Sequence, residues 1–288
     1  MRYNNRDLLE CGNKMIGIKG FGGYTIRQYQ EAALEILKEV DRICRKNNIT
    51  YFLMYGSLIG AIRHHGFIPW DDDVDVMMPR KDYEKFISLS EEISERYHLS
   101  ECRLEKEYTY PWIRLWKVGT QITWKMTKEM KTGIFMDVFP IDSIPENKIE
   151  RSLYYLHLDV NDAVRRMFTW KNFTAEDRMR YAKKILVTIL GWFGKDANSY
   201  CVSTNLYLIK KSNKATSLAG AVSVRHYGQK ETMPALVFDS QKSVAFCGRE
   251  LAGPIGYDYY LSRLYGDYME LPETDRRVSL HEFYVDRI

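Results

Sequence analysis

Cysteine is too sparse here to build anything. Cys11, Cys44, Cys102, Cys201 and Cys247 lack the close ligand spacing of zinc sites, and an odd, scattered set argues for a reducing compartment such as the cytoplasm rather than a disulfide framework. Charge of one sign is also missing. With 42 basic and 38 acidic residues mixed along 288 positions, the net charge of +4 provides no basic stripe for nucleic acid. There is no long apolar run: the longest, residues 185–193, is about half of what spans a bilayer. It is expected to be a core helix, or else a patch touching the inner face of a membrane as a peripheral contact. The polar start Met1-Arg-Tyr-Asn-Asn-Arg6 is unlike a signal peptide, and no internal repeat or low-complexity tract is present.

What the chain does have is 45% hydrophobic residues, enough for one large domain or two small ones. Tyr29, Ala33, Ile36, Leu37, Val40 and Ile43 recur at helical spacing, which predicts an amphipathic helix over residues 27–47. A second helix is predicted over 81–97, after the Pro79 break. Residues 112–119 and 121–126 read as two strands joined at Gly119-Thr120, with an apolar strand at 133–140 following them. The signal over 150–211 is helical, and the remainder is irregular with turns at Gly253-Pro254 and Leu271-Pro272.

The chemistry concentrates in Tyr51-Phe-Leu-Met-Tyr-Gly56-Ser57 and Ile68-Pro-Trp-Asp71-Asp-Asp-Val-Asp75-Val-Met-Met78. Residues 49–55 suit a buried strand, Gly56 a close turn, and Ser57 the cap of a short helix over 58–63 whose free N–H groups suit a phosphate. Strand alternation from Asp73 to Met77 would place Asp73 and Asp75 on one face. Two such charges about 6 Å apart repel by roughly 3 kcal/mol at an effective dielectric near 20, so Asp71, Asp72, Asp73 and Asp75 need a cation among them. Mg²⁺, or Mn²⁺, held by carboxylates and substrate phosphates meets that need. A solvated acidic loop is the plain alternative, but Trp70 and Val-Asp-Val-Met-Met are too apolar for one. Asp137, alone within the apolar Gly133-Ile-Phe-Met-Asp-Val-Phe-Pro140, requires either a metal or a basic partner.

The runs Tyr55-Gly-Ser-Leu-Ile-Gly-Ala-Ile-Arg63 through Trp70-Asp-Asp-Asp-Val-Asp75, Met78-Pro-Arg-Lys-Asp-Tyr83, Phe135-Met-Asp-Val-Phe-Pro140 and Tyr265-Gly-Asp-Tyr-Met269 together closely resemble the LicD family of phosphocholine transferases. The fukutin-related branch is similar in the same core, and its zinc-binding insertion has no counterpart here. The resemblance implies an α/β (α+β) nucleotidyltransferase-like mixed sheet flanked by helices, with a mainly helical C-terminal part. It divides the chain into an N-terminal segment (1–26), a catalytic core (27–145) and a C-terminal part completing the active site (146–288). By the same resemblance, Asp73, Asp75 and Asp137 are the catalytic and metal-binding acids, and Asp71 lies close to the metal. The donor implied is CDP-choline or another CDP-linked group such as ribitol phosphate or glycerol phosphate. The acceptor is a glycan or lipid-linked glycan. Nucleotidyl transfer with release of pyrophosphate, and a non-catalytic binding relative, are the alternatives from other classes.

Arg63 is expected to reach the donor diphosphate. Arg114 and Lys117 differ in parity along their strand, so one of them faces the site. His64, His65 and His281 lack partners at ligand spacing. Trp70, Tyr110, Trp112, Trp116 and Trp124 crowd the site in sequence and could present aromatic faces to a quaternary ammonium, although aromatics in strands are more often core. The Tyr265–Pro272 segment is expected to shape the mouth of the site.

Overall fold

Thr25 sets the start of helix α1 (Ile26–Asn47). Its side chain accepts from the Gln28 N–H while the Gln28 side chain returns to the Thr25 N–H, and Asn48 closes the other end at φ 51° in the left-handed region. The apolar stripe read from the sequence is buried on this helix, which lies against the sheet. The computed structural model describes residues 24–124, 132–169, 179–224, 226–277 and 283–287. Cys11, Met126 and His281 lie outside them, as does the side chain of Trp124.

The sheet has seven strands and is mixed. Its path runs β1 (Phe52–Leu53), β2 (Asp75–Pro79), β6 (Phe135–Ile144), β4 (Ile113–Lys117) and β3 (Tyr97–Ser100), and β7 (Leu218–Gly220) and β8 (Met233–Pro234) branch from β6. β2 and β6 are parallel and place Asp75 opposite Asp137, while the other pairings are antiparallel. β6 is buried from Phe135 to Asp142, as a central strand covered on both faces must be. Helix α1 covers β6 and β4, α3 (Arg80–Ser88) covers β2 and β6, and α6 (Ala197–Ser212) packs on β6 and on α4 (Lys148–Thr169). The hairpin of β9 (Gln241–Phe246) and β10 (Arg249–Pro254) and then helix α7 (Tyr257–Tyr265) follow.

Four local expectations are corrected. Of the strand expected over 49–55, only Phe52 and Leu53 form one. Helix α3 stops at Ser88 because Tyr97 is needed opposite Lys117 in β3, and the Ser94 N–H is anchored on the Glu39 carboxylate of α1 at 2.9 Å. β5 (Thr120–Trp124) follows the Gly119 turn but pairs with β11 (Phe283–Arg287) rather than with β4. The Thr120 hydroxyl donates to the Lys117 carbonyl and accepts the Ile134 N–H, which turns the strand aside. Finally, α5 (Arg180–Trp192), carrying most of the longest apolar run, is not a core helix: Ile185, Leu186, Ile189, Trp192 and Phe193 are all exposed. Among the described residues no helix is long and apolar enough to cross a membrane.

Candidate active site

The turn after β1 is shaped by two unusual backbone requirements. Tyr55 opens helix α2 (Tyr55–Ile59) at φ 47°, an uncommon conformation for a bulky residue. At Gly56 a Cβ would lie 2.6 Å from Oδ2 of Asp71, so any larger residue would push the Asp71 carboxylate aside. Met54, not Ser57, occupies the cap position of α2, and Ser57 is inside the helix. Its hydroxyl instead accepts the Asp75 N–H at 2.9 Å, and the Met54 N–H donates to the Asp75 carbonyl at 3.1 Å. The turn and the start of β2 are thereby locked together, with the first N–H groups of α2 lacking helical acceptors.

Asp73 lies in the loop before β2, not in the strand, yet the loop brings it to Asp75. The carboxylates of Asp71, Asp72 and Asp73 converge, with ligand oxygens all within 4.8 Å of one another. Asp75 is close enough to feel Asp73, Asp137 and Asp71. Burial first, and then those three charges, push its carboxyl well above the usual carboxylate range. Asp71 is pushed up in the same direction by burial, Asp73 and Asp72. The acids Asp71, Asp72, Asp73 and Asp75 that the sequence grouped around a cation do come together, with Asp72 the most buried among them. Such a set of hard oxygen donors brings like charges together, which a cation would offset, and it would suit Mg²⁺.

Asp137 has the basic partner that the sequence left open. Nε and Nη2 of Arg114 donate to its two carboxylate oxygens, both at 2.7 Å, and the pair is almost wholly buried. Arg114 is thus the site-facing member of its strand. Lys117, on the opposite parity, is carried to α1, where it pairs with Glu35 at 2.8 Å. Arg63 bonds to backbone far along the chain. Its Nη1 donates to the carbonyls of Tyr268 and Glu270 at 2.7 and 2.9 Å, which holds the Tyr265–Pro272 segment in place. The neighbouring His64 accepts from Arg63, and burial and the Arg63 charge lower its pKa to about 4.

The aromatic residues separate into different environments. Trp116 is buried and donates its indole N–H to Ser100, while Trp70 lies beneath the guanidinium of Arg277 at 5.7 Å. Tyr110 is flanked by Arg114 and Arg165. Trp112 remains, with its indole N–H buried and lacking an acceptor among the described residues. From it a continuous line of rings runs through Phe139 and Tyr55 to Tyr227 and Tyr265, at centroid spacings of 5.2, 6.2, 5.6 and 5.1 Å. Phe139 lies two residues beyond Asp137 on β6 and so shares its face, and Tyr227 and Tyr265 are near enough to the acids to have their pKa values raised by burial and then by neighbours that include Asp75 and Asp71.

Glu231 and Tyr227 were not singled out in the sequence, and nothing local marks them. Glu231 is buried behind the turn, accepts the Tyr55 hydroxyl at 2.7 Å through Oε1, and has no partner for Oε2 among the described residues. Burial pushes its carboxyl up to about 7 despite the Tyr55 hydrogen bond. A raised folded-state pKa makes stability fall as pH climbs from about 4.5 to 7, because the unfolded chain ionises first. Glu231→Gln should remove that loss. Relative to the parent, it should gain up to about 3 kcal/mol between pH 4 and pH 8 in denaturant titrations. Parallel pH profiles for the two proteins would refute the assignment.

The chain is similar to known proteins. A family model described as the LicD/FKTN/FKRP nucleotidyltransferase domain matches residues 48–162. The lipopolysaccharide cholinephosphotransferase LicD of Haemophilus influenzae is 33% identical over 270 residues, covering 91% of this chain and 98% of that protein. An uncharacterized protein of Rickettsia typhi is 38% identical over 60 residues, covering 20% of this chain and 19% of its own.

Proposed function

The chain belongs to the LicD family, and from that premise we propose that this transferase moves phosphocholine from CDP-choline to a hydroxyl of a cell-surface glycan such as a lipopolysaccharide precursor, releasing CMP. The acceptor oxygen bonds to the β-phosphorus, the bond from that phosphorus to the bridging oxygen breaks, and the acceptor proton leaves to a carboxylate. The observation that carries this reading is the convergence of Asp71, Asp72, Asp73, Asp75 and Asp137 beneath the Gly56 turn and beside a line of aromatic faces.

Asp73 and Asp75, with Asp71 and Asp72, would hold Mg²⁺, which when bound supplies the positive charge that offsets the donor diphosphate. The N–H groups of Gly56 and Ser57 would receive phosphate oxygens. Arg114 takes two of the roughly four lone-pair directions of Asp137, leaving the rest for the cation or the acceptor proton. Arg63 orders the Tyr265–Pro272 segment and would also reach the donor diphosphate. The four described cysteines are free, which suits action in the cytoplasm.

Trimethylammonium donates no N–H hydrogen bond, so its recognition rests on aromatic faces, worth about 2 kcal/mol for a well-placed, desolvated ring. Trp112 and Tyr227 belong to the ring line. Trp112→Leu or Tyr227→Leu should weaken CDP-choline binding roughly 10- to 30-fold while leaving CDP binding nearly unchanged. Titration calorimetry with both ligands measures this. If neither substitution separates CDP-choline from CDP, the donor carries a polyol such as ribitol or glycerol instead.

A further inference from the structure

Helix α5 leaves uncovered the residues that a helix normally buries. Trp192 is 82% exposed, Phe193 75%, Ile185 60%, Ile189 41% and Leu186 40%. At 100° per residue these five fall within about a third of the helix circumference, so they form one stripe rather than scattered apolar positions. Exposed apolar surface this continuous marks an interaction site. Within the segment the charges are of one sign, and Asp196, directly after it, is turned back to cap α6. From Arg180 to Lys195 the sequence carries Arg180, Lys183, Lys184 and Lys195 and no acidic residue, in a chain whose charges are otherwise mixed. On the helix, Lys184 borders the stripe on one side and Lys183 on the other, while Lys195 follows Trp192 and Phe193 at the exposed end.

A protein partner covering this stripe would need acids to meet the lysines and a shaped apolar groove to receive two large aromatic side chains. An anionic lipid surface meets all of these requirements together. It takes apolar side chains to a depth of about 5–10 Å, accommodates indole and phenyl rings at headgroup level, and attracts the flanking lysines. The helix is also too short and too interrupted by charge to insert across the bilayer. We propose that α5 is an in-plane docking helix that seats this protein on an anionic membrane surface, with Ile185, Ile189, Trp192 and Phe193 in the headgroup boundary and Lys184 and Lys195 on the lipid phosphates. The inference stands apart from the donor and acceptor chemistry, since none of these residues belongs to the acidic site.

Vesicle sedimentation of the full chain tests it, using phosphatidylcholine alone and phosphatidylcholine containing about a third phosphatidylglycerol. The chain should pellet with the anionic vesicles and remain in the supernatant with the neutral ones, and binding should weaken as salt is raised. Ile189→Asp combined with Trp192→Asp should reduce partitioning on the order of 100-fold. Lys184→Gln combined with Lys195→Gln should reduce it roughly 25-fold, at about fivefold for each lysine. Both variants should keep the parent melting temperature and CMP release with a soluble acceptor. If the apolar variant does not fold, the lysine variant decides alone. Failure to pellet with anionic vesicles, equal pelleting with neutral ones, or unchanged partitioning of the variants would overturn the proposal. So would an Ile189/Trp192 variant that turns an oligomeric parent into a monomer while the parent ignores vesicles, because the stripe would then belong to a second copy of the chain.

Discussion

Asp73→Asn and Asp75→Asn should each lower transfer at least about 1,000-fold while leaving the protein folded. The loss corresponds to about 4 kcal/mol of transition-state stabilisation, the scale expected when a carboxylate that holds the charge-neutralising cation is removed. The accompanying stability change distinguishes this from a packing defect. Asp75 is held above the ordinary carboxylate range by burial and by Asp73, Asp137 and Asp71. In the absence of metal, its ionisation therefore costs folding energy, and that cost is present above its raised pKa and disappears below the unfolded value. Asp75→Asn should accordingly stabilise the chelated protein by about 1 kcal/mol at pH 8 and by nothing at low pH. Mg²⁺ with CDP should raise the melting temperature of the parent and not of the variant. Loss of cooperative unfolding in both variants, or near-normal turnover in either, would contradict the assignment.

The second large effect concerns folding rather than chemistry. Arg80, in the Met78-Pro-Arg-Lys-Asp-Tyr83 motif, donates through Nε and Nη2 to the two oxygens of Asp142 at 2.7 Å, and both side chains are buried. Its Nη1 reaches Asn205 on α6 and Glu84 on α3. Asp142 lies five residues from Asp137 on β6, hence on the opposite face, so this pair ties the helices to the sheet away from the acidic cluster. Arg80→Met leaves a buried carboxylate without its counter-ion and should cost about 3–5 kcal/mol. In a chain of this size that lowers the melting temperature by roughly 10 °C. Adding Asp142→Asn should recover most of the loss, since a neutral amide can keep the Ser212 hydrogen bond at 2.9 Å without an unpaired charge. The protein that remains folded should keep normal turnover. A single variant within about 1 kcal/mol of the parent would show that Arg80 is dispensable to the core.

Arg114 and Arg63 illustrate what the sequence could and could not disclose. The Gly56-Ser57 turn, the acids from Asp71 to Asp75 and the lone Asp137 are local signals, because each sits in an apolar run whose periodicity or isolation makes the charge conspicuous. The α1 stripe and the mixed sheet flanked by helices were legible for the same reason. Partner choice was not, since it depends on register between distant strands. Whether Asp137 faced a metal or an arginine was decided only when β4 aligned Arg114 opposite it. Likewise nothing near Arg63 signals that it donates to the carbonyls of Tyr268 and Glu270, more than 200 positions away. Glu231 reaches Tyr55 across a comparable separation. The exposure of α5 was hidden in another way: an apolar period states that a helix has a face to cover, not that the rest of the chain covers it.

The identity of the bond that breaks is the central claim, and one measurement reads it directly. The protein is incubated with Mg²⁺, CDP-choline and a glycan acceptor, and nucleotide and acceptor are then weighed by mass spectrometry. Attack at the β-phosphorus predicts one CMP released for each acceptor that gains choline with a single phosphate. An acceptor that instead carries an intact CMP would place the reaction at the α-phosphorus and contradict the account.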